Sequence, residues 1–316
     1  MPQTTPSAPD ARTVTEEIRR ARAYLLRVAE PPAPALHAFV ELVGPVEAAE
    51  RIRRDDDVPT VIRSELVHRP PADEVDRDFR TADKYGARLV VPEDDEWPAD
   101  QLACLEGRTW TAAPLALWVR GPALLDDALR RAVSVVGARS ATAYGEHVAT
   151  EFGYGLAEES VTVVSGAAYG IDGAAHRGAL AAHGTTVAVL ACGVDLSYPA
   201  AHTALLDQIA KEGAIVSEYA PGTLPAKHRF LVRNRLIAAL ASATVVVEAG
   251  TRSGSRNTAT TAKRLGKPVG AVPGPVTSAT SQGCHDLLRT KAAQLIETID
   301  DVLALASLHT DTSRPG

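Results

Sequence analysis

Residues 132–190 read AVSVVGARSATAYGEHVATEFGYGLAEESVTVVSGAAYGIDGAAHRGALAAHGTTVAVL, and this stretch decides the fold. Three short apolar runs, Ala132–Val136, Val161–Val164 and Thr186–Leu190, are separated by two segments of helical pattern, Ser140–Glu159 and Ile171–His183. The runs are continuously apolar rather than alternating, which is what a strand buried on both faces requires. The rhythm continues downstream. Further runs fall at Ala214–Val216, Thr244–Val247 and Pro268–Val272, with helical patterns at Ala200–Glu212, Arg229–Leu240 and Thr258–Gly266. Upstream, Arg88–Pro92 and Leu115–Val119 also have the texture of strands. Strand and helix in regular alternation predict an α/β fold with a doubly wound, mostly parallel sheet.

Further toward the N-terminus, from Thr15 to about Tyr85, the pattern is helical throughout. Thr15 followed by Glu16 and Glu17 marks a helix start, Pro31-Pro32 breaks that helix, and Gly44-Pro45 opens a later one. The spacing predicts a small all-helical domain over residues 14–85 ahead of an α/β domain over residues 86–306. The helix–Gly44-Pro45–helix order is similar to the SAM and helix-hairpin-helix modules that hold DNA backbones, whereas the acidic balance of the segment favours packing between domains. Residues 1–13, polar and with three prolines, are expected as a disordered tail, and residues 307–316 as a C-terminal tail.

The chain has 316 residues, 45% hydrophobic and 23% charged, which excludes wholesale disorder and fibrous repeats. Only 4% are aromatic, so the core must be built from Ala, Val, Leu and Ile. No apolar run approaches the roughly 20 residues that span a bilayer, and the first 13 residues contain no apolar h-region. Cys104, Cys192 and Cys284 are odd in number and far apart, fitting neither a disulfide framework nor a zinc spacing. A cytoplasmic protein with no membrane partner is expected.

Net charge is -6, which argues against a polyanionic partner until the charge is mapped along the chain. Residues 1–129 carry 16 basic and 24 acidic side chains; residues 130–300 carry 16 and 13. From Lys227 to Lys267 there are nine basic residues against one acid, Glu248. Because charges beyond a Debye length of about 10 Å are largely screened, a local basic field can attract a polyanion to an acidic protein. The same residues also suit solvated helix faces.

In a doubly wound sheet, ligands bind beyond the carboxyl ends of the strands, where helix N-termini direct unpaired N–H groups outward. Those ends here carry Gly137-Ala138-Arg139-Ser140, Ser165-Gly166-Ala167-Ala168-Tyr169-Gly170, Cys192-Gly193 followed by Tyr198-Pro199, Ser217-Glu218, Glu248-Ala249-Gly250 followed by Ser253-Gly254-Ser255, and Val272-Pro273-Gly274. Any one of these loops is explained as a turn. Gly–Ser loops at four strand ends would together line one edge with backbone donors. The segment Phe230–Ala238 adds Arg233, Asn234 and Arg235 beside Phe230. Guanidinium groups hold phosphates, an amide reads a base edge and a ring offers a stacking surface, all suited to an unpaired polynucleotide. The plainer alternative puts Phe230 in the core and the arginines on the surface.

Signatures of enzymes are missing. No G-x-G-x-x-G follows the first run, and the second ends in Ser165 where a dinucleotide binder places an acid. No G-x-x-x-x-G-K-[ST] and no G-x-S-x-G occur. His176, among Ala175 and Ala179, is expected to be a packed histidine, and Asp172 a helix-dipole partner. No cofactor, metal or catalytic residue is expected.

Together these segments resemble the DprA/Smf family of bacterial DNA-processing proteins. The resemblance rests on Val136–Arg139, on Val164–Asp172 with Ala175-His176 and Ala179-Leu180, and on Gly193 with Tyr198-Pro199. It continues through Ser217-Glu218, Phe230–Ala238, Val247–Ala249 with Ser253–Ser255, Thr258-Ala259 and Val272–Gly274. These stretches keep family order from about residue 110 to 296. The resemblance implies an extended Rossmann-like domain that binds single-stranded DNA without chemistry, forms a homodimer, and passes the strand to the RecA recombinase in natural transformation. By motif, Arg139, Ser165, Gly166, Phe230, Arg233, Asn234, Arg235, Gly254 and Ser255 would line the DNA pocket, with Gly137 turning the chain before Arg139. Lys227, Arg229, Arg256 and Lys263 join them on charge alone.

Three departures from the family pattern stand out. Arg256 replaces an apolar residue, Arg289-Thr290-Lys291-Ala292 stands where a Gly-Ala pair is usual, and little chain follows Asp300–Ala306 where many members carry a winged helix. The alternative is a nucleotide-binding hydrolase of the phosphoribohydrolase-like Rossmann group. Its P-G-G-x-G-T-x-x-E run is absent from Glu248–Ser255, as is its second carboxylate.

Overall fold

The computed structural model describes residues 15–68 and 70–308; apart from Ser307 and Leu308, the two expected tails lie outside the described residues. The helical N-terminal part comprises α1 (Glu16–Val28), α2 (Pro34–Val43), α3 (Pro45–Arg54), the single turn α4 (Thr60–Arg63) and α5 (Ala72–Lys84). Thr15 caps α1 by accepting a hydrogen bond from the Ile18 amide, and Glu16 and Glu17 sit where the helix dipole favours negative charge.

The α/β part follows as β1 (Ala87–Val90), α6 (Ala99–Leu102), β2 (Leu117–Arg120), α7 (Leu125–Ala128), β3 (Ala132–Val136), α8 (Ala143–Glu158), β4 (Thr162–Ser165) and α9 (Ile171–Ala181). Then come β5 (Thr186–Val189), α10 (Thr203–Glu212), β6 (Ala214–Ser217), α11 (Lys227–Ala239), β7 (Ala243–Val246), α12 (Gly254–Arg264), β8 (Val269–Ala271), α13 (Gln282–Arg289), β9 (Gln294–Leu295) and α14 (Ile299–Leu305). All eight strands expected from the apolar runs form. The two-residue β9, exposed and without an apolar run, was not expected from sequence.

The nine strands make one sheet in the order β1-β2-β6-β5-β4-β3-β7-β8-β9. From β6 to β9 every pairing is parallel, and β1 and β2 add an antiparallel margin. The chain therefore builds outward from β3 through β4, β5 and β6, then returns to the other side of β3 for β7 and β8. Strand order reverses at the β3–β7 boundary. There the loops after the two strands turn to opposite faces, leaving a crevice at the carboxyl edge.

The two faces have separate cores. Helices α8 and α9 cover Val133, Val135, Val163 and Val245 on one side, and α11 and α12 cover Val136, Val164, Val189 and Val246 on the other. The N-terminal helices share a third core with the sheet margin. Leu25, Leu36 and Ile52 belong to the same buried cluster as Leu89, Trp118 and Ile215. Phe79 meets the Trp118 ring edge-on at 5.5 Å. Ion pairs border this junction: Arg22 with Glu93 at 2.6 Å, Arg19 with Asp94 at 2.6 Å, and Arg229 with Glu30.

Candidate functional site

At the β3–β7 reversal lies an open cleft of about 670 Å³. Its floor is the turn after β3, one wall is α11, and the other is the start of α12. Gly137, Arg139, Lys227, Phe230, Arg233, Asn234, Gly254 and Ser255 all line it. Gly166 lines a smaller recess of about 50 Å³ that shares Arg139, Tyr198, Phe230 and Arg233 with the cleft. The tight turn explains the first glycine: a Cβ at Gly137 would run into Ile171 of α9. Lys227, Phe230, Leu231 and Asn234 share a face because they recur at helical spacing along α11.

The cleft offers cations and rings together. Arg139 is exposed, makes no ion pair among the described residues, and its guanidinium sits 5.0 Å from the Phe230 ring centre. Tyr198 also packs against Phe230, with ring centres 5.4 Å apart, and 40% of it is exposed. Tyr169, at the rim of the recess, meets His202 edge-on at 5.1 Å. Neither tyrosine was among the residues proposed from sequence. Both stand in strand-end loops, the signal that could have found them. Lys227 is a second exposed cation that makes no ion pair among the described residues. At the far wall, Gly254 is exposed with open space around it, and the Ser253 and Ser255 hydroxyls are 2.8 Å apart at the start of α12.

Arg233 lines the same space but is only 5% exposed. Its Nη1 donates to the carbonyls of Gly166, at 2.9 Å, and Val189, while Nε has no hydrogen-bond partner among the described residues. Burial brings its pKa down to about 10, so the group stays charged at neutral pH. Gly166 is small of necessity: a Cβ there would stand 2.6 Å from the Arg233 guanidinium.

The loop after β4 differs from expectation. Its amides were expected to face a ligand, yet Gly166 N and Ala168 N both donate to the Asp172 carboxylate, at 3.2 and 3.3 Å. Asp172 is thus more than a helix-dipole partner; it ties down the loop from beneath. Burial raises its pKa, and Arg233 opposes that rise. The Ala167 carbonyl accepts from His202 Nδ1 at 3.0 Å.

The structure leaves five proposed residues outside both the cleft and the recess. Ser165 is fully buried, its hydroxyl donating to the Val135 carbonyl at 2.6 Å. Arg235 points into the interior, where it forms a 2.6 Å ion pair with Glu218, both about 5% exposed. Arg229 lies on the opposite side of α11, holding Glu30 and stacking over Tyr219. Arg256 pairs with Asp286 at 3.3 Å, and Lys263 is exposed near the other end of α12. For the basic residues the cause is helical periodicity: consecutive residues point about 100° apart, so a run of them cannot serve one face.

The acids nearby are all engaged. Glu248 accepts from Thr142 N, Thr142 Oγ1 and Thr280 Oγ1 at 2.8, 2.7 and 3.0 Å. Among the described residues no cluster of side chains could hold a metal ion, and no helix is long and apolar enough to cross a membrane.

Comparison with known proteins places these features in context. Residues 88–307 match the family model of DNA recombination-mediator protein A. The chain is 53% identical over 310 residues to a putative DNA processing protein DprA of Mycobacterium tuberculosis, covering 94% of this chain and 78% of that one. It superposes on the X-ray structure of DNA processing protein A from Streptococcus pneumoniae with a TM-score of 0.70 at 30% identity, over 91% of this chain and 95% of that one. A DNA processing protein A from Helicobacter pylori, described for its single-stranded DNA binding mode, superposes with a TM-score of 0.61 at 27% identity. That match covers 70% of this chain and 95% of the other.

Proposed function

The chain belongs to the DNA recombination-mediator protein A family, and from that premise we propose that it binds single-stranded DNA in the cleft at the β3–β7 reversal and acts as a recombination mediator. The observation that carries the reading is the stack of Arg139 on Phe230, flanked by Tyr198, on the rim of an open cleft. A duplex hides its base faces, whereas an unpaired strand can lay bases on these rings while phosphates meet Arg139 and Lys227. Affinity comes mainly from phosphate contacts, so sequence preference is slight. The protein performs no chemistry in this reading, with Asp172, Glu218 and Glu248 each committed to internal partners.

Titrating labelled oligo-dT and a duplex of equal length, followed by anisotropy, tests the proposal. Strong preference for oligo-dT is expected, together with at least a tenfold loss for Arg139→Glu at unchanged thermal stability. Equal affinity of the Arg139→Glu variant would remove the cleft from consideration, and release of free base from AMP would instead favour the hydrolase alternative. We further propose that the protein acts in the cytoplasm as a homodimer and delivers the strand to RecA. Faster RecA filament formation on protein-bound oligo-dT is the result that reading requires.

A further inference from the structure

We propose that single-stranded DNA leaving the cleft continues along the exposed face of α12 to a second binding platform, the Arg264 guanidinium stacked on Trp110. The inference rests on the reading of the cleft as a single-strand site. Helix α12 begins at the cleft with Gly254 and Ser255 and runs 11 residues, about 16 Å at 1.5 Å per residue. Asn257, Thr260 and Arg264 are exposed and fall three and four positions apart, so they line one face of the helix. That face starts within the site, because the Asn257 side chain accepts from the cleft's Asn234 at 3.3 Å. No acidic residue occurs from Ala249 to His285, so the path carries no repulsion for phosphate from its own segment.

At its far end, the Arg264 guanidinium lies 3.7 Å from the centre of the half-buried Trp110 ring. A cation at a helix C-terminus is ordinarily explained by the helix dipole. Here Arg108 already serves that end, donating from Nη1 to the Arg264 carbonyl at 3.2 Å, while Lys263 supplies charge in the same turn. The stack on Trp110 is therefore free for another role. It holds an exposed guanidinium over the ring, a surface on which a base can stack while the N–H edge meets a phosphate.

Anisotropy titrations of the whole chain with oligo-dT of about 4 and about 16 nucleotides test this, since single-strand sites of related chemistry span that range. Arg264→Gln, on the surface, is expected to weaken the longer oligomer roughly tenfold, the scale of one lost stacked base, and to leave the shorter unchanged. Arg139→Glu is expected to weaken both. A local readout accompanies these: tryptophan fluorescence should respond to the longer oligomer alone, and Trp110→Phe should abolish that response. The platform is overturned if Arg264→Gln leaves the longer oligomer's affinity intact or lowers both affinities alike. If Arg139→Glu changes neither oligomer, the cleft reading fails and the platform falls with it, a pattern distinct from failure of Arg264 alone.

Discussion

Arg233, Asn234 and Arg235 are consecutive, yet each meets a different environment. Asn234 opens on the cleft, Arg233 lines it from a buried position, bonded to the Gly166 and Val189 carbonyls, and Arg235 is buried against Glu218 at 2.6 Å. Removing one partner of a buried ion pair strands the other charge in the interior. Arg235→Met is therefore expected to destabilise the protein by about 3–5 kcal/mol in denaturant titrations. The double variant Arg235→Met with Glu218→Leu should recover most of that loss, since a well-packed apolar pair can replace a buried ionic one. DNA affinity of the folded Arg235→Met protein should match the parent, in contrast to Arg139→Glu, which is expected to lose binding and keep stability. A variant at Arg235 that kept full stability would show the pair to be dispensable.

At the scale of elements, α9 is fastened to β5 by a hydrogen bond whose direction is fixed. Thr186 Oγ1 donates to the Val163 carbonyl at 2.8 Å, so it can only accept from His176 Nδ1, 2.6 Å away. Nδ1 therefore carries a proton, and the buried Nε2 has no hydrogen-bond partner among the described residues. Burial, with His202, Arg177 and Arg233 adding repulsion, drives the His176 pKa down to about 3. In the unfolded chain the group titrates near 6.5, so between those values the unfolded state binds more protons. Stability must then fall as pH drops through 6.5, with this histidine contributing up to about 1.4 kcal/mol per pH unit until its folded pKa is reached. His176→Gln should flatten that part of the stability–pH profile. An unchanged slope would mean that the ring is not held neutral.

For the whole molecule, the helical N-terminal part and the sheet margin bury one another. Trp118, fully buried, is covered by Phe79, and Leu89 and Ile215 lie in the same cluster as Leu25 and Ile52. A chain beginning at residue 86 would expose that face to water. It is expected to aggregate or to melt far below the parent, and the parent should unfold in one transition seen alike by tryptophan fluorescence and circular dichroism. Charge at this scale acts only locally. Although the protein carries a net charge of -6, affinity for oligo-dT should fall with salt, each phosphate contact contributing about 0.7 to the log–log slope. Arg139→Gln should lower that slope by about one such contact; a slope identical to the parent's would place Arg139 away from phosphate.

Apolar periodicity in the sequence was enough to give the parallel sheet, because a strand covered on both faces must be apolar at every position. Runs such as Ala132–Val136 and Thr186–Leu190 say so without reference to anything distant. It also located the cleft's edge, since loops such as Gly137–Ser140 and Ser253–Ser255 must follow strands. Strand order, and with it the reversal between β3 and β7, came only from the tertiary structure, as did the division of the basic residues. Whether a guanidinium meets solvent or a carboxylate depends on residues far away in the chain. Arg139 finds Phe230, Arg235 finds Glu218 and Arg229 finds Glu30, each partner far from its arginine in sequence. The Gly166 and Ala168 amides are decided the same way, engaged by a carboxylate that only the folded α9 delivers.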